Sequence, residues 1–300
     1  MRILAMFPGQ GSQHPGMGKE LLDDFPYCQA VFEEIEDTTH LRIRHLCLHA
    51  DADTLTQTIN TQPCIFAVSI AYHTVLKREC GYQPTVFAGH SLGELTALVA
   101  SDKLSLASAS KLVQLRATAM QKAVGTGIML AVLGADLAAI KQATAATDTD
   151  IANLNSPKQT VLAGSPTGIA QAKELLLASN KCKCLPVPVS APFHSRLMLA
   201  AEEEMQTPIL ACKLNANANT VISNYRGLVE PYQLHYLVKQ ISHPVQWTQT
   251  IDSAIAANCD VTLEVGTKSV LTSLLRSFPH WQGKSYAKHS QLQEFIRLTS

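Results

Sequence analysis

The apolar positions along this 300-residue chain change rhythm several times, and the changes lay out its architecture. Arg2 to Phe7 is a short run, apolar at every position after Arg2, that Pro8-Gly9 stops, the pattern of a strand buried on both faces. Helical spacing follows over Leu21 to Ala50 and again over Gln57 to Arg78, where Pro63 suits a first helical position. Ile65, Phe66, Ala67, Val68, Ile70 and Ala71 then predict a helix buried nearly all round. Leu104 to Ala123 is a third helix, with Leu112, Val113 and Met120 on one stripe. After Gly125-Thr126-Gly127 the order is strand Ile128 to Leu133, helix Ala135 to Ala146, strand Asp150 to Asn155, strand Gln159 to Gly164, helix Thr167 to Ser179 and strand Lys183 to Ser190. That βαββαβ order is the ferredoxin-like split βαβ unit. Strand Thr220 to Tyr225, helix Thr248 to Ala257, strand Val261 to Val265 and helix Ser269 to Phe278 complete the pattern. The expected fold class is α/β. A large α/β-hydrolase-like domain with a parallel sheet core, residues 1–125 and 191–300, carries an inserted ferredoxin-like domain at 126–190.

Between the second and third helices stands Thr85-Val86-Phe87-Ala88-Gly89-His90-Ser91-Leu92-Gly93-Glu94-Leu95. A strand that ends in G-x-S-x-G and passes at once into a helix is a nucleophile elbow, which would present the Ser91 hydroxyl clear of the sheet. Leu92 would offer its backbone N–H at the positive end of the following helix, where an oxyanion can be stabilised. The loop Pro8-Gly9-Gln10-Gly11-Ser12-Gln13, at the carboxyl end of the first strand, is either a plain turn or the second oxyanion donor, through Gln10. It is no dinucleotide cradle, because His14 stands where G-x-G-x-x-G needs glycine.

Arg116 lies on the apolar stripe of its helix, and no Asp or Glu occurs between Asp102 and Asp136. A guanidinium turned inward must snorkel out, pair with a distant acid, or stay open for an anionic ligand. The last option selects an acyl group with a free carboxylate, which the planar fork of donors matches in two parallel bonds. Of eleven histidines, His194 sits in Pro192-Phe193-His194-Ser195, where the chain leaves the small domain, and could serve Ser91 as base across a cleft. His90 adjoins the serine, but neighbours on a sharp elbow point different ways. No acid stands where the hydrolase order Ser, Asp, His would put one, so a backbone carbonyl is expected to orient the imidazole.

Composition narrows the partners. Net charge is zero and hydrophobic residues make up 46% of the chain, with no dense run of Lys or Arg, which argues against a nucleic-acid footprint. The apolar start is too short for a signal core or a membrane span, and the expectation is a cytoplasmic monomer that needs no membrane. Eight cysteines without framework spacing read as reduced thiols, and Cys182-Lys183-Cys184 has no second pair at zinc spacing.

Together these motifs resemble the malonyl-CoA:acyl-carrier-protein transacylases, and within them the free-standing acyltransferases that serve polyketide synthases in trans. The likeness is carried by Phe7-Pro8-Gly9-Gln10-Gly11-Ser12-Gln13, Thr61-Gln62-Pro63, Gly89-His90-Ser91-Leu92-Gly93-Glu94, the Arg116 helix, Asn153-Leu154-Asn155-Ser156-Pro157, Phe193-His194-Ser195, Pro244-Val245-Gln246-Trp247 and Glu264-Val265-Gly266. The resemblance implies Ser91 as nucleophile, His194 as base, Gln10 and Leu92 as oxyanion hole, and Arg116 on the malonyl carboxylate. It implies that the carbonyl of Gln246 orients His194, and that His90, Gln62, Asn155, Met120 and Phe193 line the substrate site. Phe193 is like the malonyl-selective form, whose ring leaves little room for an α-methyl branch. The implied partners are malonyl-CoA as substrate and the phosphopantetheine of an acyl carrier protein as acceptor, with no bound cofactor and no metal. The usual proline after Gly266 is replaced by Thr267. An editing acyl hydrolase, the malonyltransferase of fatty acid synthesis and a decayed carrier-docking module are the alternatives. Arg116 argues against the hydrolase, and the intact set of Ser91, His194, Gln10 and Arg116 against the decayed module.

Overall fold

A computed structural model describes residues 2–179, 181–189, 191–281 and 283–286. Its larger sheet is parallel throughout, in the order β7-β2-β1-β8-β9. These strands are β1 (Ile3–Phe7), β2 (Val86–Gly89), β7 (Thr220–Ile222), β8 (Val261–Glu264) and β9 (Lys284–Tyr286). β1 is central and buried at every residue because both of its faces are covered. Ala5 and Phe7 face the core that holds Phe66, Ala67 and Ile70, while Leu4 and Met6 face Trp247, Ile251 and Leu271. β9 went unpredicted, since its short polar-flanked run lies in the tail from which no pattern emerged.

The smaller sheet is antiparallel, ordered β4-β5-β3-β6, from β3 (Ile128–Leu133), β4 (Thr149–Ser156), β5 (Gln159–Gly164) and β6 (Lys183–Pro186). With helices Leu137–Ala145 and Pro166–Ser179 between its strands it is the expected βαββαβ unit. Leu130, Val132 and Leu162 pack one face onto Ile140 and Ile169. β6 ends at Pro186, earlier than expected, and Ser190 lies outside the described residues.

The helix expected from Pro63 onward spans Thr58–Cys80, so Pro63 sits inside it and not at its start. Gln57 caps that helix from an extended conformation, and Gly81 ends it at φ 57°, where a side chain would be strained. The Arg116 helix is Leu106–Gln121, begun by Ser105, whose hydroxyl accepts from Ser108 N–H at 3.2 Å. No helix among the described residues is long and apolar enough to cross a membrane.

The elbow depends on its glycines. A Cβ on Gly89 would lie 1.8 Å from the Gly93 carbonyl oxygen, and one on Gly93 would lie 2.0 Å from that of Phe7. Helix Gly93–Ala100 therefore rests directly on β1. Gly93→Ala is expected to cost about 3 kcal/mol, the upper end for overpacking, because backbone and not a flexible side chain must yield. A thermal melt beside the parent chain checks this, with Tm lower by roughly 6 °C or more.

Candidate active site

Ser91 leaves β2 with φ 54° and His194 has φ 57°, so both side chains are aimed by backbone that non-glycine residues rarely adopt. Asn224, just beyond β7, secures the bend: its Oδ1 accepts from Ser91 N–H at 2.7 Å and its Nδ2 donates to Gly89 O at 2.6 Å. Ser91 Oγ is 2.8 Å from His194 Nε2. The other ring nitrogen, Nδ1, is 2.7 Å from the carbonyl oxygen of Gln240. A carbonyl can only accept, so Nδ1 carries the proton and Nε2 keeps its lone pair for the serine hydroxyl. His194 is buried, and that burial, reinforced by the nearby Arg116 charge, lowers its pKa to about 3. The imidazole is therefore neutral and able to accept a proton at ordinary pH.

The orienting carbonyl is a correction. The Gln246 carbonyl is engaged by the Thr250 N–H at 2.9 Å in the first turn of helix Trp247–Ala256, and the carbonyl beside His194 Nδ1 is that of Gln240. Gln240 instead follows helix Leu234–Lys239 as its C-cap, a position whose carbonyl the helix leaves free.

Arg116 is 1% exposed and reaches the serine. Its Nη2 donates to Ser91 Oγ at 3.0 Å and to Gln240 Oε1 at 2.8 Å, and its Nη1 donates to Gln62 Oε1 at 2.8 Å. Only neutral groups touch the guanidinium, and Nε has no partner among the described residues. Burial lowers its pKa to about 10, against the opposing pull of Glu94, so it stays charged. Gln62 is itself fixed by a 3.5 Å contact from Nε2 to Met120 Sδ.

Ser91, His194, Arg116 and Gln62 border one cavity of about 510 Å³ between the two sheets, together with Gln10, Leu92, His90, Asn155, Met120 and Phe193. Neither Gln10 N–H nor Leu92 N–H donates to an acceptor among the described residues. Gly9 lets the Gln10 loop lie against the elbow, for a Cβ there would be 2.5 Å from His90 O. The loop is clasped from the far end of the chain, where Thr267 Oγ1 donates to Ser12 O at 2.7 Å and Lys268 Nζ to Gln13 O at 2.8 Å. Threonine in place of the usual proline thus supplies a hydroxyl that the loop uses. His90 points away from Ser91 toward the small sheet, its Nε2 2.8 Å from Asn155 Oδ1 and 3.3 Å from Asn153 Nδ2. Asn155 also donates to Gln159 Oε1 at 2.8 Å.

Three participants escaped the sequence reading: Gln240, Asn224 and Tyr232, whose hydroxyl donates to Glu94 Oε1 at 2.6 Å. Asn224 was accessible in principle, since it lies two residues beyond the strand beside the one that carries the elbow. Gln240 and Tyr232 carry no local signal. Among the described residues no group of His, Cys, Asp and Glu could hold a metal ion.

The sequence profile of the acyl transferase domain matches residues 5–288. The chain is 37% identical over 285 residues to the malonyl CoA-acyl carrier protein transacylase of Bacillus subtilis strain 168, covering 92% of this chain and 90% of that one. It is 36% identical over 290 residues to the polyketide biosynthesis protein ThaF of Burkholderia thailandensis, covering 94% of this chain but 25% of that protein. A solved complex of a type II PKS acyl-carrier protein with its malonyl-transacylase, PlMCAT:AntF, matches at TM-score 0.93 and 30% identity over 99% of this chain and 100% of that one. On sequence and on fold, over nearly its whole length, the chain belongs to the acyl transferase family.

Proposed function

We propose that this chain moves a malonyl group from malonyl-CoA to the phosphopantetheine thiol of an acyl carrier protein, in the ping-pong manner that one serine nucleophile allows. Ser91 Oγ attacks the thioester carbon while His194 Nε2 takes the hydroxyl proton, and the Gln10 and Leu92 N–H groups hold the oxyanion. Collapse breaks the C–S bond, and the proton on Nε2 goes to the departing CoA thiol. The carrier thiol then gives its proton to Nε2, attacks the Ser91 ester, and the serine recovers that proton as the ester opens. Arg116 binds the free carboxylate of the acyl group, and Phe193 bounds the space beside it.

The observation that carries this reading is the Arg116 fork lying on the nucleophile itself, with neutral partners only. A plain acyl hydrolase gains nothing from such a cation. The likeness to ThaF and to the PKS complex supports a role in polyketide assembly, and the malonyltransferase of fatty acid synthesis is the second reading, equally consistent with the likeness to malonyl CoA-acyl carrier protein transacylases. A cytoplasmic site of action suits both.

Incubation with isotopically labelled malonyl-CoA should leave a malonyl ester on the peptide containing Ser91, found by mass spectrometry, and added holo carrier protein should discharge it. Release of malonate at full rate without acceptor would mark a hydrolase, and no ester at Ser91 would remove the covalent route.

A further inference from the structure

Arg116 is buried without an ion pair, yet a lone buried guanidinium costs several kcal/mol. The missing counter-charge stands one side chain further on. Glu94, wholly buried in the helix after the elbow, accepts from Tyr232 OH at 2.6 Å, from Gln240 Nε2 at 2.8 Å and from Asn224 N–H at 3.0 Å. The Gln240 amide that donates to Glu94 accepts through Oε1 from Arg116 Nη2. The same Nε2 also donates to Ser91 O at 2.9 Å.

The geometry points to Glu94 as the counter-ion of Arg116, kept one amide away by Gln240 so that the guanidinium stays charged yet free to bind, and so that Glu94 sets how tightly it holds an anionic acyl group. This rests on the reading of Arg116 as the carboxylate site. A carboxylate in direct contact would occupy the fork and exclude the substrate, whereas no acid at all would leave the empty site with an uncompensated charge. The interposed amide is polar, uncharged and able to present its oxygen to the cation and its nitrogen to the anion at once. Glu94 is thus a positioning residue that competes electrostatically with the substrate carboxylate, and losing its charge should tighten the hold on a diacid.

Titration gives the same device a pH dependence. Of the charged and titratable groups among the described residues, Tyr232 and Arg116 face Glu94, and burial raises its pKa to about 7 against their stabilising pull. Tyr232 is pushed well above its usual value and stays a donor. Lowering pH through about 7 protonates Glu94, removes its charge and should strengthen binding of the malonyl carboxylate, which is itself ionised throughout that range.

The test is Glu94→Gln, which keeps an acceptor for Gln240 while deleting the charge, with Glu94→Asp as the charged control and Arg116→Ala alongside. KM is measured for malonyl-CoA and acetyl-CoA with holo carrier protein as acceptor. The expected result is a malonyl-to-acetyl KM ratio lowered about fivefold or more in Glu94→Gln and close to the parent value in Glu94→Asp. A ratio unchanged or raised in Glu94→Gln, while Arg116→Ala abolishes the malonyl preference, would overturn the counter-ion and leave the clamp standing. A preference that survives Arg116→Ala would overturn the clamp and with it the counter-ion. Should Glu94→Gln fail to fold, the unaltered chain decides: its malonyl-to-acetyl KM ratio should fall between pH 8 and pH 6, and a flat ratio refutes the proposal.

Discussion

His194→Ala should lower kcat/KM for malonyl transfer by about 10²- to 10⁴-fold, the range for a lost general base, while the chain keeps its fold. The proton of Ser91 would have no acceptor in reach, since the other group on Oγ, the Arg116 Nη2, can only donate. The pH profile identifies the cause. Histidine bases ordinarily fail as pH falls through 6 to 7, but burial and the Arg116 charge hold this imidazole neutral until about pH 3. Steady-state rates between pH 8 and pH 5 should therefore show no acid loss of kcat/KM. Within the malonyl complex the bound carboxylate offsets Arg116, so His194 becomes a stronger base and the acid limb of kcat should lie above that of kcat/KM. A limb near pH 6.5 in the free enzyme would mean that the imidazole is hydrated and unlike the one described. Stability follows the same shift: the folded chain binds fewer protons than the unfolded one below the ordinary 6.5, so stability declines from there toward about pH 3 and then levels.

Arg116→Ala should erase the preference for malonyl over acetyl thioesters. Truncating one partner of a buried charge pair typically costs about 2–5 kcal/mol, so the malonyl kcat/KM should fall roughly 30-fold to several-thousand-fold while acetyl transfer falls much less. Arg116→Lys should not restore it, because an ammonium cannot hold Gln62, Gln240 and a carboxylate in one plane. Competition between malonyl-CoA and acetyl-CoA, followed by mass spectrometry of the loaded carrier, measures the ratio directly. An unchanged ratio would assign the carboxylate to another group.

Much of this was written locally. Two glycines around a serine, between an apolar run and a helical pattern, define a bend so tight that a Cβ on Gly89 or Gly93 would lie 1.8 or 2.0 Å from a backbone oxygen, and strict βαββαβ order defines the smaller sheet. Arg116 was legible as an anomaly, a cation on an apolar stripe, but its resolution was not. The acid that balances it was in plain view within the Gly89–Glu94 motif, and what connects the two is a glutamine 124 residues beyond Arg116. That Gln240, and not the Gln246 implied by the resemblance, orients His194 has a similar origin. The two glutamines are six residues apart, and what separates them is that one begins a helix and so has its carbonyl engaged, while the other ends a six-residue helix too short to announce itself in the sequence. Neither fact is visible without the fold.

The segment after Gln240 joins the two sheets. Val245 pairs alongside Asn153, with Leu154 N–H on Val245 O and Val245 N–H on Ala152 O, both at 2.9 Å, and His90 leans on Trp247 from the elbow side. The elbow side of the cleft is thereby tied through main chain to the small sheet opposite it, and this tie is expected to set the gauge of the slot that an incoming thioester must enter.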